Sequence, residues 1–330
     1  MMNEVLRSFI AAFSIQIELL KTAAFYFVML PAKIGLKGAV SPFTWGFALT
    51  PVHQLGYAAG MIALALWSAW RWNAKVGIAI LIFAIVIYFG LTGLPWPAFI
   101  LILSLLGYGI GGAAMAIGTA LGLLFIIVTG NWPAAVLSIY LCGIAVVIAF
   151  TLGTAIGIWA AQNDRVSAIV RPINDTLQTM PLFVILIPFV MVFKIGDFTA
   201  LLAIIAYAIV PAIRYGEHGL RGLPETVIEA ARMIGATPRQ MLWQVKIPLA
   251  LPVIMLGLNQ TILYGIAMLV IAALVGASGL EQTVYIALTD GNVGEGLIAG
   301  LAMAIIAIIA DRMTNGWSRK RQAALGLESK

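Results

Sequence analysis

Long apolar runs separated by short polar gaps set the character of this chain. They cover roughly residues 53–70, 76–94, 97–111, 113–130, 135–161, 180–195, 198–213, 253–275 and 297–311. A helix that crosses a bilayer needs roughly 17–25 predominantly apolar residues, so each run is read as a span with soft edges. Residues 97–130 are too long for one helix, and Gly107, Gly109, Gly111 and Gly112 offer a break between two. Residues 8–31 are also apolar, but Glu18 and Lys21 favour an interfacial or scaffold helix there. The pattern predicts an all-α, polytopic membrane helix bundle of about nine spans.

One polar stretch interrupts the apolar rhythm at length. Residues 225–234 read Glu-Thr-Val-Ile-Glu-Ala-Ala-Arg-Met-Ile and favour helix, with Pro224 suited to a first-turn position. Gly235 can end that helix, Thr237-Pro238 can start a second, and Pro248 closes it. The expectation is a short helical hairpin within residues 215–250, outside the bilayer and suited to a cleft on a soluble partner. Its plain alternative is an ordinary loop between two spans.

Composition and charge placement agree with the membrane reading. Apolar residues make up 62% of the chain and charged residues 10%, against about 25% charged in a soluble domain, and mean hydropathy is +1.04. From Val76 to Asn163 there is no Asp, Glu, Lys, Arg or His; each charge at a span centre costs about 2.5–3.5 kcal/mol on insertion scales. The single cysteine, Cys142, excludes an intramolecular disulfide, and its apolar setting reads as core. Glu18 and Lys21 interrupt the N-terminal apolar run, so no cleavable signal sequence is evident there.

With the hairpin taken as cytoplasmic, 14 of the 19 Lys and Arg residues fall on inner segments. The long outer loop, about 276–296, holds Glu281, Asp290 and Glu295 and no basic residue. Net charge +6 is thereby explained by topology rather than by nucleic acid. Residues 1–95 read as an accessory section with about two spans and 96–133 as additional spans leading inward. Residues 134–312 form a core that includes the hairpin, and 313–330 a basic cytoplasmic tail. Small residues four apart, as at Gly153 and Gly157, suit close helix packing.

Glu229-Ala230-Ala231, then Gly235, then Val245-Lys246-Ile247-Pro248 resembles the EAA loop of ABC-transporter permeases of the importer type. Arg171–Pro181 and Pro252–Thr261 look like segments of the glycine betaine/proline (quaternary-amine) permeases, and the likeness runs from Ala160 to Arg312. The resemblance implies a type-1 permease fold in a bacterial cytoplasmic membrane, with the C-terminus inside. It implies two permease copies, a separate ATPase subunit that binds ATP and Mg, and an external solute-binding protein. It assigns ATPase coupling to Glu229, Ala230, Ala231, Gly235 and Pro248. The chain departs from the subfamily where Gly-Gly-Leu-Gly is usual and Ala277-Ser278-Gly279-Leu280-Glu281 stands instead. Glu281 there is either a contact for a cationic solute or its delivery protein, or a solvated loop charge.

The chain has no Gly-x-x-x-x-Gly-Lys-Ser/Thr phosphate loop, so ATP chemistry by that route is not expected within it. A quaternary amine needs aromatic faces, each worth roughly 0.5–2 kcal/mol. Met180, Pro181, Phe183, Asn259, Tyr264, Met268 and Glu281 are candidates for the path, against helix packing as the plain alternative for each. Pro181 and Pro188 suggest a kink. His53 and His218, far apart in sequence, do not suggest a metal site or proton relay. The competing reading, an autonomous ion-coupled transporter or channel, normally needs ionisable residues within the membrane, which the uncharged run disfavours. A membrane-embedded enzyme needs a catalytic polar cluster at one membrane face, and none stands out.

Overall fold

The computed structural model describes residues 13–29, 51–71, 77–78, 80–81 and 96–324, and every regular element among them is helical. In chain order these are α1 (Ser14–Ala24, continued by a π-turn over Phe25–Met29), α2 (Pro51–Arg71), α3 (Trp96–Val128), α4 (Trp132–Gln162), α5 (Asp164–Thr179), α6 (Leu182–Phe193), α7 (Asp197–Arg221), α8 (Glu225–Met233), α9 (Pro238–Val275), α10 (Leu280–Thr289) and α11 (Val293–Ala324). The chain divides into two compact units, residues 22–103 and residues 1–21 with 104–330. In the smaller unit α2 carries the apolar run expected at 53–70, while most of the run at 76–94 lies outside the described residues.

In the larger unit α7 lies between α4 and α9 and is buried on most sides, with Ala200, Ala203, Ile204, Ala208 and Val210 inaccessible to solvent. Small residues let the backbones approach. A Cβ on Gly153 would stand 2.6 Å from the Ala212 Cβ, and one on Gly157 would stand 2.4 Å from the Ile213 carbonyl oxygen. The glycine pair thus performs the packing role its spacing predicts.

Among the described residues five helices are long and apolar enough to cross a bilayer: α3, α4, α7, α9 and α11. The pair α5–α6, bent by 102°, makes a sixth if taken as one span. The expected nine are therefore not reached among the described residues. Helix α3 breaks at Gly112 (φ 76°, ψ −166°), within the glycine cluster where a break was expected. Gly107 lies 3.4 Å from Thr119 Oγ1, measured from an ideal Cβ; in an unbroken helix the two would be about 18 Å apart. The chain therefore reverses at Gly112, a conformation open to glycine because it has no Cβ, so α3, long enough by residue count, is a helical hairpin of two arms rather than one straight span.

Other boundaries move for identifiable reasons. The run at 180–195 becomes the 12-residue α6, about 18 Å long and too short to span by itself. The bend lies at Met180–Pro181, whose extended ψ values (136° and 137°) end α5 and start α6; Pro188 sits inside α6. Helix α7 continues past the expected end at 213 to Arg221, and α11 continues through the expected tail to Ala324. The region 276–296 is not an open loop, since α10 fills its centre.

Candidate functional site

The polar stretch folds as a helical hairpin with well-formed ends. Pro224 is the residue that precedes the first turn of α8 rather than lying within it. At the other end Gly235 (φ 81°) donates to the Arg232 carbonyl at 2.9 Å, and Ala236 donates to the Ala231 carbonyl at 3.1 Å. This paired closure at a left-handed residue is a Schellman motif, and it turns the chain sharply. Thr237 then starts α9 with a capping box: its hydroxyl accepts from the Gln240 N–H, and the Gln240 side chain accepts from the Thr237 N–H.

Pro248 does not close the second arm. It lies in the first turn of the segment Ile247–Ala272, directly after a π-helical stretch over Met241–Lys246. Proline has no N–H to give, and the widened turn before it lets the helix run on. The second arm is therefore continuous with a membrane helix. The base of the hairpin is apolar: Leu220, Ala250 and Ile254 form a buried cluster, packed by Phe150, Ile158, Leu223 and Leu242.

Of the residues proposed for coupling, Glu229, Ala230, Gly235 and Pro248 are exposed, whereas Ala231 is buried against the second arm. Sequence reasoning missed the most exposed apolar side chains of the hairpin. Met233 is 88% exposed and Ile234 86%, and Trp243 on the second arm is 63% exposed. The signal was present, since large apolar residues within a polar, glycine-closed turn have no membrane to face.

A second missed feature lies beside the hairpin. Arg171, Arg214 and Arg221 read in sequence as topology charges, yet α5 and α7 pair antiparallel through a ladder of polar side chains. Asp164 accepts from Arg221 at 2.7 Å, Ser167 donates to Glu217 at 2.7 Å, Arg171 donates to Glu217 at 2.9 Å, and Asp175 accepts from Arg214. Arg221 also meets Glu217 at 3.0 Å and donates to the Ala160 carbonyl of α4 at 2.9 Å. Glu217 is only 7% exposed, and its carboxylate is held by three donors. Residues 164, 167, 171, 175 and 178 lie on one helical face, the spacing that would have revealed the ladder. The last of them, Gln178, donates to the Tyr264 hydroxyl at 2.9 Å, and Tyr264 stacks on Tyr207 with ring centroids 4.9 Å apart.

The proposed path residues separate into groups. Met180, Pro181 and Phe183 surround the α5–α6 bend, and Pro181 and Phe183 are exposed. Tyr264 is half-buried in the tyrosine stack. Met268 is inaccessible. Asn259 is tied into a helix–helix knot, donating to Asp311 at 2.9 Å and accepting from Thr314 at 2.6 Å.

Glu281 is not a solvated loop charge. It is 1% exposed at the start of α10, accepts from Ser138 Oγ at 2.5 Å, and its other carboxyl oxygen is buried with no hydrogen-bond partner. Ser138 Oγ in turn accepts from the Leu280 N–H at 2.8 Å. Burial raises the Glu281 carboxyl above the usual range, opposed by the Ser138 hydrogen bond and reinforced by nearby Asp197.

Residues 153–320 match the family of binding-protein-dependent transport system inner membrane components. The chain belongs to this family. Among curated members it is 38% identical to the glycine betaine/proline betaine transport system permease protein ProW of Escherichia coli, over 69% of this chain and 65% of ProW. It is 38% identical to the glycine betaine transport system permease protein OpuAB of Bacillus subtilis, over 71% of this chain and 83% of OpuAB. It is 35% identical to the trimethylamine N-oxide transport system permease protein TmoV of Ruegeria pomeroyi, over 72% of this chain and 36% of TmoV. The match thus spans just under two thirds of ProW and a smaller part of TmoV. An inward-facing structure of the MetNI methionine ABC transporter shares the fold, with a TM-score of 0.52 at 22% identity over 58% of this chain and 95% of that one. As a family member the chain is a multi-pass inner membrane component.

Proposed function

We propose that this chain is the permease subunit of an ATP-driven importer for a small quaternary-amine or zwitterionic solute of the glycine betaine class. Two copies form the pathway. An external solute-binding protein delivers the solute, and a separate ATPase subunit binds ATP and Mg and docks on the hairpin. The hairpin and the C-terminus face the cytoplasm, in keeping with the basic residues that crowd the hairpin end.

The observation that carries this reading is the hairpin itself: its tip offers exposed Met233 and Ile234 to a partner, while its base is buried among membrane helices. Apolar side chains seated in a partner's cleft contribute binding energy by leaving water. A push on the tip then passes into α7 and α9 through packed side chains. Glu229 is exposed on α8, where it can meet the ATPase surface as an ion partner. Gly235 permits the turn between the arms.

Support for the solute class comes from the relatives, whose names give glycine betaine, proline betaine and trimethylamine N-oxide. Each carries a positive nitrogen bearing methyl groups and a negative oxygen, on a carboxylate in the betaines and on the nitrogen itself in the N-oxide. The stacked Tyr207–Tyr264 pair provides an aromatic face of the kind that such a cationic nitrogen favours. Met180, Pro181 and Phe183 at the α5–α6 bend, with Asn259, Met268 and Tyr264 on α9, belong to the same proposed path.

Uptake of radiolabelled glycine betaine into proteoliposomes tests the reading, using this chain with its ATPase and binding protein. ATP-dependent uptake is expected, with collapse in Glu229→Lys and Gly235→Asp while both variants remain folded and inserted. Uptake without ATP or partners would instead make the chain an autonomous transporter.

A further inference from the structure

We propose that α5, the hairpin end of α7 and the α8–α9 hairpin move as one rigid lever, held together by Glu217 as a positioning residue and hinged at Met180–Pro181. The inference rests on the coupling role proposed for the hairpin and assigns how its motion reaches the pathway.

Glu217 stands at a junction of three helices. Its carboxylate binds Ser167 and Arg171 of α5 and Arg221 of α7, and Arg221 reaches the Ala160 carbonyl at the end of α4. Beneath it the α4 and α7 backbones touch, since a Cβ on Gly157 would lie 2.9 Å from the Glu217 nitrogen. Opening this junction would leave a carboxylate in a poorly hydrated place without its donors, which is costly. Four residues further on α7 ends at Arg221 and the hairpin follows, so displacement of the hairpin carries the junction with it.

The other end of α5 lies where a lever would act. About 10–17 Å of helix separates the junction residues Arg171 and Ser167 from Gln178, which holds the Tyr264 hydroxyl at 2.9 Å. One residue past Thr179 the backbone leaves the helix and turns by 102° into α6. A stiff, multiply bonded element that ends at a sharp, extended joint is the arrangement of a hinged rod. The ladder moves the rod with the hairpin, and the rod presents or withdraws the Tyr207–Tyr264 face. The outer ladder pair Asp175–Arg214 is exposed on both sides, so it contributes alignment more than stability.

Two measurements on the assembly with its ATPase test this. In a Cys142→Ala background, Asp175→Cys with Arg214→Cys is treated with a short bis-methanethiosulfonate cross-linker, nucleotide-free and after vanadate trapping. Equal yield in both states is expected of a rigid lever; a marked drop on trapping would show the ladder opening and overturn the proposal.

In the second measurement, solute moved per ATP hydrolysed is compared for wild type, Glu217→Gln, Asp175→Arg, Arg214→Asp and the double exchange. Glu217→Gln is expected to lower that ratio by about tenfold while the assembly stays intact and hydrolyses ATP. The single charge reversals are expected to lower it less, and the double exchange to restore it. A purely structural role would instead reduce the amount of assembled complex and leave the ratio alone, and an unchanged ratio in Glu217→Gln overturns the lever. If wild type moves no betaine, the solute reading fails while the cross-linking arm still decides the lever.

Discussion

Two buried glutamates at opposite ends of the α7 bundle show how differently one side chain is used. Glu217, beside the hairpin, is ringed by Ser167, Arg171 and Arg221. Glu281, toward the other end, has a single hydroxyl donor from Ser138 and a buried oxygen with no partner. The first arrangement stabilises a carboxylate; the second favours a neutral acid, since desolvation penalises charge and no cation offsets it. Polar burial at the hairpin end therefore joins helices through charge. At the far end it seats α10 on α4 through one hydrogen-bond chain, Leu280 N–H to Ser138 to Glu281. The hairpin end is tied by several charged contacts, and the end closed by α10 is tied by few.

The largest expected effect breaks the packing beneath Glu217. Gly157→Leu places a side chain against the Ile213 carbonyl and the Glu217 nitrogen, where backbone cannot give way. Overpacking usually costs about 1–3 kcal/mol, and this site should reach or exceed the upper value. Loss of monodisperse protein in detergent and a large fall in melting temperature are expected; near-wild-type melting would show that α4 and α7 do not touch there.

Glu217→Ala should follow in size. It removes hydrogen bonds to charged groups, worth about 1.5–3 kcal/mol each at most, and the half-exposed arginines recover part of this by hydration. A loss of unfolding free energy near the lower figure is expected, against almost none for Asp175→Ala at the exposed ladder pair.

The smallest effect sharpens the contrast through pH. Because the folded Glu281 carboxyl is raised above its unfolded value, its contribution is full below about pH 4.3 and is lost as pH rises through the raised value. Stability of the wild type should decline across that window by up to about 1.4 kcal/mol per pH unit. Glu281→Gln should cost about 1 kcal/mol at acidic pH and remove that slope. A slope unchanged in the variant would mean that Glu281 is charged when folded.

Much of the α8–α9 hairpin was legible in the chain. Gly235 and Thr237-Pro238 act as the expected stop and start because φ preference and capping are local properties of one or two residues. Pro248 misled because a missing N–H ends a helix only when the backbone cannot widen, and the π-turn before it does so. The glycine break within residues 97–130 was visible as composition, yet only the fold placed it at Gly112 and turned it into a reversal. The solvated alternative for Glu281 fails because, although its local sequence looks like a loop, its burial depends on α4, which lies far away in the chain.

Sequence by itself determined the membrane class, the helical hairpin and the family resemblance. Those depend on hydropathy summed over a span, on cap chemistry and on a short motif, all of which act within a few turns. Tertiary structure alone decided which charges are partners. Asp164 meets Arg221 and Ser167 meets Glu217 across 57 and 50 residues, contacts set by how α5 lies along α7. A charge in a polar gap reads the same whether it faces water or a partner; the difference is desolvation, which exists only once the helices have packed.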